Sequence, residues 1–468
     1  MRILFTPAGD TDSVRNFHDG AILHILRHYP ADKVILFLTK DMEEKESEMH
    51  CYTRGIASVA PDVPVEILRS GITEPQKYEK LTAIQDAFAN AYDAHPEAEW
   101  LLNVSSGTPQ IKTVMALLAL DYPRTKAIQV SSPEGKSNRG NHPCRTADEL
   151  IEMLDCNEDA EPGAVNRCEE PPLLLLKRHG LLRQVTSLVR NYEYAGALQI
   201  VRQNKNCFSP ISEKLLQHAA LRRDLMWKEA NKVIAQYEGK PLIEGAGDFS
   251  EYFQVMEMRQ RKKQYPEFIV KLSPILASLG MQYIQKIPGF TLSEIGYWKK
   301  DRTGNQIFYI DRERMNENWR GLVSYLENAF GGMLRPGPIY FSLIVLISEY
   351  LEEGKLHGNE KHSQITRLFK ELRSVEESVR NPIAHEITNM SDERIQSLTA
   401  EALRKDELQP GDMSVRCRAI QSPTANAIWK GLSSKEILQR LHEVTRLIRG
   451  SDIRWTYDTL NDKIIKSL

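Results

Sequence analysis

Leu101-Leu102-Asn103-Val104-Ser105-Ser106-Gly107-Thr108-Pro109-Gln110 is the stretch on which the fold of this chain turns. Its apolar opening suits a buried strand. Thr108 followed by Pro109 suits the start of a helix, where a threonine hydroxyl accepts from free N–H groups and proline loses nothing at the first helical position. Ser106-Gly107-Thr108 makes the turn between the two. A strand that ends in a small glycine-containing turn and runs straight into a helix is the repeating unit of an α/β sheet.

The same alternation extends on both sides. Ile3–Thr6, Val34–Thr39, Val65–Arg69, Trp100–Val104 and Ala127–Ser131 are short apolar runs with β-branched residues, as expected of parallel strands buried on both faces. Helical patterns such as Asp19–His28 and Gln110–Leu120 lie between them. Residues 1–150 therefore predict a doubly wound, Rossmann-like parallel sheet. Around Cys156–Glu170 the chain turns acidic, with Pro162-Gly163 and Pro171-Pro172, and reads as an exposed linker.

Beyond it the pattern is helical from Leu173 to about Glu238, is broken by Gly239–Asp248, and resumes near Tyr265. That second block takes in Phe341–Leu351, Ile365–Val379 and Ser433–Ile448. Trp298–Arg312, with Thr303-Gly304-Asn305 in its middle, is a small hairpin or a long loop. The fold class is α/β plus all-α, divided as 1–150, a linker and connecting helical domain over 151–262, and a helical domain over 263–468.

The totals exclude several classes. A net charge of -2, from 61 basic against 63 acidic residues, does not suit a protein that coats nucleic acid, though it leaves room for one basic cleft. The six cysteines (Cys51, Cys144, Cys156, Cys168, Cys207, Cys417) are scattered with no CxxC pair, against a disulfide framework or a cysteine-rich zinc site. The apolar start Met1–Phe5 is broken by Pro7, Gly9 and Asp10, which is short for a signal peptide, and no run approaches the roughly 18 residues of a membrane span. A cytoplasmic protein without a membrane partner is expected.

In an open parallel sheet, ligands bind beyond the carboxyl ends of the strands. The first strand ends in Thr6-Pro7-Ala8-Gly9-Asp10-Thr11-Asp12 and the fourth in Ser105-Ser106-Gly107-Thr108, with Lys112 one turn into the following helix. Free backbone N–H groups at such a helix start suit a phosphate. The loops equally fit plain strand-to-helix turns, and they lack the GxGxxG and GxxxxGK[ST] spacings of a dinucleotide site and a P-loop.

Near the C-terminus, Ile365, Leu368, Phe369, Leu372, Val375 and Val379 give one buried helix face, which leads into Arg380-Asn381-Pro382-Ile383-Ala384-His385. Pro382 disfavours helical dihedrals at Asn381, so a break there brings Arg380 and His385 to one junction. The pair suits RNA cleavage without metal: histidine moves a proton near neutral pH, and an arginine fork stabilises a charged phosphorane. The spacing alone is weak, since about two such Arg-to-His pairs arise by chance in a chain of this size. Among the 12 histidines only His385 has an arginine five to seven residues ahead of it. A capping arginine and a surface histidine fit the pair as well.

Other features fit structural roles. Glu43-Glu44-Lys45-Glu46 and Arg259–Lys263 read as solvated helix faces. His24 and His28 have metal-pair spacing but no third ligand nearby. Tyr192, Tyr194 and the tryptophans suggest no stacking array.

The two motifs in this order resemble the CARF–HEPN effector ribonucleases of type III-A CRISPR systems. N-x-S-S-G-T-P-Q after the fourth strand and R-N-P-I-A-H in a helical C-terminal half carry the likeness. So do Met1–Asp12, Asn16-Phe17-His18-Asp19-Gly20-Ala21 and Phe268-Ile269-Val270-Lys271-Leu272-Ser273-Pro274-Ile275-Leu276. Over the whole chain, the resemblance implies a CARF domain, a connecting helical domain and a HEPN domain.

It also implies roles. Arg380 and His385 match the HEPN R-x4-6-H motif, with Asn381 its polar neighbour, and two copies pair in a homodimer to form one composite site. That site would cut single-stranded RNA and leave a cyclic phosphate and a 5′-hydroxyl, with no metal or cofactor and no stable DNA binding. Gly9, Asp10, Thr11, Asp12, Ser105, Ser106, Gly107, Thr108, Gln110 and Lys112 belong to the loops that would hold the activator, a cyclic oligoadenylate (hexa-adenylate favoured, tetra-adenylate open). Slow cleavage of that ring in the CARF site, linked to Thr108, is a further implication. Thr11-Asp12-Ser13 departs from the family's usual Asn or Ser, Asp, Pro, which bears on the contacts of that loop. Two rival readings are a nucleotide-sensing regulator without catalysis and a HEPN ribonuclease toxin without ligand control.

Overall fold

The computed structural model describes residues 1–133, 143–238, 247–301, 304–380, 390–408 and 431–468. The chain divides into two compact units, Met1–Leu181 and Leu182–Leu468.

The first unit is built on a six-stranded sheet. In chain order its strands are β1 (Arg2–Pro7), β2 (Lys33–Leu38), β3 (Val65–Arg69), β4 (Glu99–Asn103), β5 (Thr125–Val130) and β6 (Cys168–Glu169). Their order across the sheet is β3-β2-β1-β4-β5-β6; the first five are parallel, and β6 runs antiparallel to β5. The five strands expected from the sequence are all present, displaced by no more than two residues. Alternation along β1 shows why these runs are apolar throughout: Ile3 and Phe5 pack in one core with Phe37, Phe88 and Trp100, while Leu4 packs in the other with Val34, Leu36 and Leu101. Helices α1 (Ala21–His28), α2 (Lys40–Met49), α3 (Cys51–Val59), α4 (Thr82–Ala94), α5 (Pro109–Asp121) and α6 (Ala147–Asp155) cover the two faces. The sheet order reverses at β1, between β2 and β4, which opens a crevice at the strand ends.

The stretch expected to be an exposed linker is built into this unit. Asn157 and Asp159 are buried. The Asn157 amide donates to Asp19 at 2.7 Å, Asp159 accepts the Asp19 backbone N–H at 2.8 Å, and Cys168 extends the sheet. Acidic side chains there answer Arg167 and the α1 residues rather than water. Glu46 likewise leaves the solvated face expected of it: it is buried and accepts the Tyr52 N–H at 2.8 Å.

The second unit is helical apart from one small sheet. Helices Tyr194–Gln203, Pro210–Arg223 and Trp227–Glu238 precede a larger core formed by Asp248–Arg261, Leu272–Ile284, Arg320–Phe330, Phe341–Glu353, Glu360–Val375 and Ser434–Arg449. Trp298–Arg312 resolves as a hairpin, Gly296–Lys300 against Gln306–Ile310, with Gly337–Pro338 as a third strand. Inside this unit the Arg222 guanidinium forks onto Glu251 at 2.9 and 2.9 Å, with both side chains buried. Tyr192 and Tyr194 do join an aromatic group, with Trp455 and Tyr457. Arg261, placed by sequence on a solvated face, stacks over Trp455 at 4.2 Å. Sequence distance hid that cluster, since the partners come from the far end of the chain. No described helix is long and apolar enough to cross a membrane.

Candidate functional site

A cleft of about 650 Å³ opens at the carboxyl ends of the first unit's strands. Gly9, Asp10, Thr11, Asp12, Ser105, Ser106, Gly107, Thr108 and Lys112 line it, so two loops nearly a hundred residues apart meet at one place. Gln110 is not among its lining residues.

Several of the side chains picked from the sequence hold the cleft together as well as lining it. The Asn103 amide, buried at the end of β4, donates to Thr6 Oγ1 at 2.9 Å and to Ser106 Oγ at 2.5 Å, while its Oδ1 accepts the Ser105 N–H at 2.8 Å. The Ser105 hydroxyl accepts the Val130 N–H at 2.7 Å. Thr108 is the N-cap of α5: its hydroxyl accepts from Ile111 N at 3.3 Å and donates to Pro75 O at 2.9 Å. With those hydroxyls committed, what the turn offers a ligand is backbone, at a helix N-terminus where dipole and free N–H groups favour an anion.

Two glycines keep that backbone within reach. Gly107 sits at φ +81°, the left-handed region that glycine enters without penalty. At Gly9, a Cβ would lie 2.9 Å from Gly107 N and 2.8 Å from Asp12 Oδ2, so the two loops touch where any side chain would part them. Asp12 closes the contact, accepting the Gly9 N–H. Burial pushes the Asp12 carboxyl above its usual range, against the opposing hydrogen bonds from Ser106 and Gly9 and the charges of Lys112 and Arg15. Asp10 is held by Lys45 at 2.8 Å, and Tyr52 OH donates to Gly9 O at 2.9 Å.

The sequence reading missed Arg15, Thr39, Asp41 and Gln129, which also line the cleft. Thr39 and Asp41 follow β2 directly, so the rule that flagged the ends of β1 and β4 would have found them. Arg15 lies on a two-residue ribbon strand with no sequence signal of its own.

The His24–His28 pair falls outside the cleft. His24, Asp19 and Asp159 lie close enough to hold a cation, yet their charges are already answered. Arg27 forks onto Asp19 at 2.9 and 3.2 Å, Arg167 pairs with Asp159, and His24 Nε2 accepts the Arg167 backbone N–H at 2.9 Å. Despite burial, hydrogen bonds from His24, Arg27 and Asn157 hold the Asp19 carboxyl well below the usual carboxylate range. This group is an ion-pair knot that fastens Asn157–Arg167 to α1.

In the second unit, Ile365, Leu368, Phe369, Leu372, Val375 and Val379 are buried, as the helical spacing predicts. After Val375 the helix widens into a π-helical turn, Glu376–Arg380, with Arg380 half-buried at its end. Such turns recur at functional sites. Asn381 and His385 lie outside the described residues.

Family models match the chain in three successive blocks: the Cas_Csm6 CARF domain over residues 64–168, the Csm6 6H domain over 171–223 and the Cas_Csm6 HEPN domain over 240–465. The chain belongs to the Csm6 family. Among Csm6 relatives, the CRISPR system endoribonuclease Csm6 of Enterococcus italicus is 26% identical over 422 residues, 84% of this chain and 90% of the relative. A Csm6′ endoribonuclease of Streptococcus thermophilus is 29% identical over 324 residues, 64% of this chain and 80% of the relative. The Csm6 of Mycobacterium tuberculosis is 28% identical over 277 residues, 58% and 66%. In solved form, Enterococcus italicus Csm6 bound to cyclic hexa-2′-fluoro-hexa-dAMP shares the fold, with a TM-score of 0.65 over 100% of both chains at 22% identity. The cleft lies in the unit that holds the Csm6 CARF match, and Arg380 lies in the Csm6 HEPN match.

Proposed function

We propose that this chain is a cytoplasmic, homodimeric endoribonuclease of type III CRISPR defence that cuts single-stranded RNA without a metal and is switched on by a cyclic oligoadenylate. The observation that carries the reading is the meeting of the Gly9–Asp12 and Ser105–Thr108 loops in one cleft of about 650 Å³ at a helix N-terminus. The Csm6 relatives named as endoribonucleases, and the one solved with a cyclic hexanucleotide, support it. Cyclic hexa-adenylate is the favoured activator. In this division, residues 1–150 sense the ring, 151–262 connect, and 263–468 cut.

In the cutting step, His385 removes the 2′-OH proton and the freed oxygen attacks the adjacent phosphorus. The 5′-oxygen leaves with a proton, giving a 2′,3′-cyclic phosphate and a 5′-hydroxyl. Arg380 stabilises the phosphorane charge, Asn381 is its polar neighbour, and the partner's copy of the motif completes the site. A two-fold ring on a two-fold dimer matches the symmetry of the assembly, and control by the ring requires two states of different affinity for it. Slow cleavage of the ring in the cleft belongs to the same reading. Its candidate, the Thr108 hydroxyl, would have to leave Pro75 O to take part.

The test is cleavage of a fluorogenic single-stranded RNA in EDTA, with no activator, cyclic tetra-adenylate or cyclic hexa-adenylate, for wild type and His385→Ala. Strong stimulation of the wild type by one ring and silence of the variant are expected. Full activity without any ring would turn the reading towards an uncontrolled toxin. A variant as active as wild type would remove the assigned catalytic site.

A further inference from the structure

Two neighbouring side chains of the cleft are left unengaged at the end of β2. Thr39 is the N-cap of α2, yet its hydroxyl makes no capping bond. It is only 6% exposed, and it forms no side-chain hydrogen bond among the described residues. Thr108, at the same position of α5, does cap its helix. That hydroxyl is not sealed in the interior: it reaches the cleft and is open to a ligand. Asp41 lines the cleft two residues later without a hydrogen bond or ion pair among the described residues, whereas Asp10 is tied to Lys45 and Asp12 to the Gly9 N–H. A carboxylate in the first turn of α2 also suits the helix dipole, which accounts for Asp41 alone but not for the idle Thr39 beside it.

Both line the cleft at the start of α2, Thr39 offering a donor and Asp41 an acceptor. A phosphate, which offers acceptors only, would be repelled by Asp41 and is better received by the backbone of the Gly107 turn. An adenine edge matches the pair: its exocyclic amine donates to a carboxylate, and the neighbouring ring nitrogen accepts from a hydroxyl. Resting on the cyclic oligoadenylate reading of the cleft, we infer that Thr39 and Asp41 are its base-specificity residues and read the adenine edge. Inosine, with a carbonyl in place of the amine, sets an acceptor against Asp41 and is rejected. An Asp41→Asn side chain, which can donate, accepts it.

Isothermal titration of the full-length protein with cyclic hexa-adenylate and cyclic hexa-inosinate tests this. Wild type should prefer the adenine ring by about tenfold or more, and Asp41→Asn should lose or reverse that preference. Thr39→Val, which keeps the shape and removes the hydroxyl, should weaken the adenine ring several-fold, with Thr39→Ser restoring it. Asp41→Asn with wild-type affinity and preference would overturn the inference, as would a wild type that binds both rings equally. A wild type that binds neither ring overturns the oligoadenylate reading itself, and the inference with it.

Discussion

Asn103 Nδ2 donates to Thr6 Oγ1 at 2.9 Å, from the carboxyl end of β4 to that of β1, with both groups buried. The same amide holds Ser106 and, through its oxygen, the Ser105 N–H, so one side chain fixes the spacing of the two central strands and the shape of the turn between them and α5. Asn103→Ala strips partners from buried polar groups and should lower stability by about 1–3 kcal/mol. It should also weaken cyclic hexa-adenylate binding although Asn103 lines no part of the cleft. Chemical unfolding and calorimetric titration check both effects, and a variant unchanged in each would contradict the assigned role.

Gly9→Ala puts a methyl group 2.9 Å from Gly107 N, where only backbone can yield. Forced separation of the loops should cost about 1–3 kcal/mol. It should appear mainly as lost ring affinity, with RNA cleavage recoverable at high ring concentration. A titration of cleavage rate against ring concentration distinguishes this shift from a damaged cutting site.

For the proposed cutting site the expectation is reversed. Arg380→Ala or His385→Ala should lower RNA cleavage by about a hundredfold or more while leaving ring affinity unchanged. A substitution in this pair that alters binding but not cleavage would place the chemistry elsewhere.

His218 supplies a pH signature in the second unit. It is fully buried between the helices Pro210–Arg223 and Trp227–Glu238, with Nδ1 2.9 Å from Ala230 O, and burial lowers its pKa to about 4. The unfolded chain therefore takes up a proton near pH 6.5 that the folded chain refuses until about 4. Stability should be intact above about pH 6.5 and fall by about 3 kcal/mol on the way down to about pH 4. Melting temperatures across that range should show the decline, and His218→Gln should flatten it.

The parallel sheet was legible because strands buried on both faces leave unbroken apolar runs, and because Thr108-Pro109 announces a helix start whatever surrounds it. Asn157–Arg167 is largely exposed, as its composition suggests, but the burial of Asn157 and Asp159 was hidden for the opposite reason. Acidic residues with proline and glycine have the same composition in an exposed linker and in an ion-pair knot, and what decides is Asp19 and His24, well over a hundred residues away. In the cleft, glycine drew attention to Gly9 and Gly107 and to the loops that hold them, whereas the backbone bonds of the Ser105 and Thr108 hydroxyls show only once the strands are side by side. Thr39 and Asp41 carry no local signature; only their place after β2 distinguishes them. At the proposed cutting site the buried face ahead of Arg380 was readable from its spacing, whereas the widened turn that ends at the arginine has no sequence mark.

That widened turn makes the heading of Arg380 a matter of counting. A π turn holds one residue more than an α turn, so everything after it is rotated by about 100° from where an unbroken helix would point it. The identity of Glu376, Glu377 and Ser378 then matters less than the fact that the extra residue is there. Removing one residue between Val375 and Val379 would return the turn to α geometry and keep the face from Ile365 to Val375 seated, and it would leave the guanidinium on its heading, since four residues of an α turn sweep the same angle as five of the wider one. Such a chain, one residue shorter but with Arg380 on the same heading, should still cut RNA, whereas one that has lost Arg380 should not.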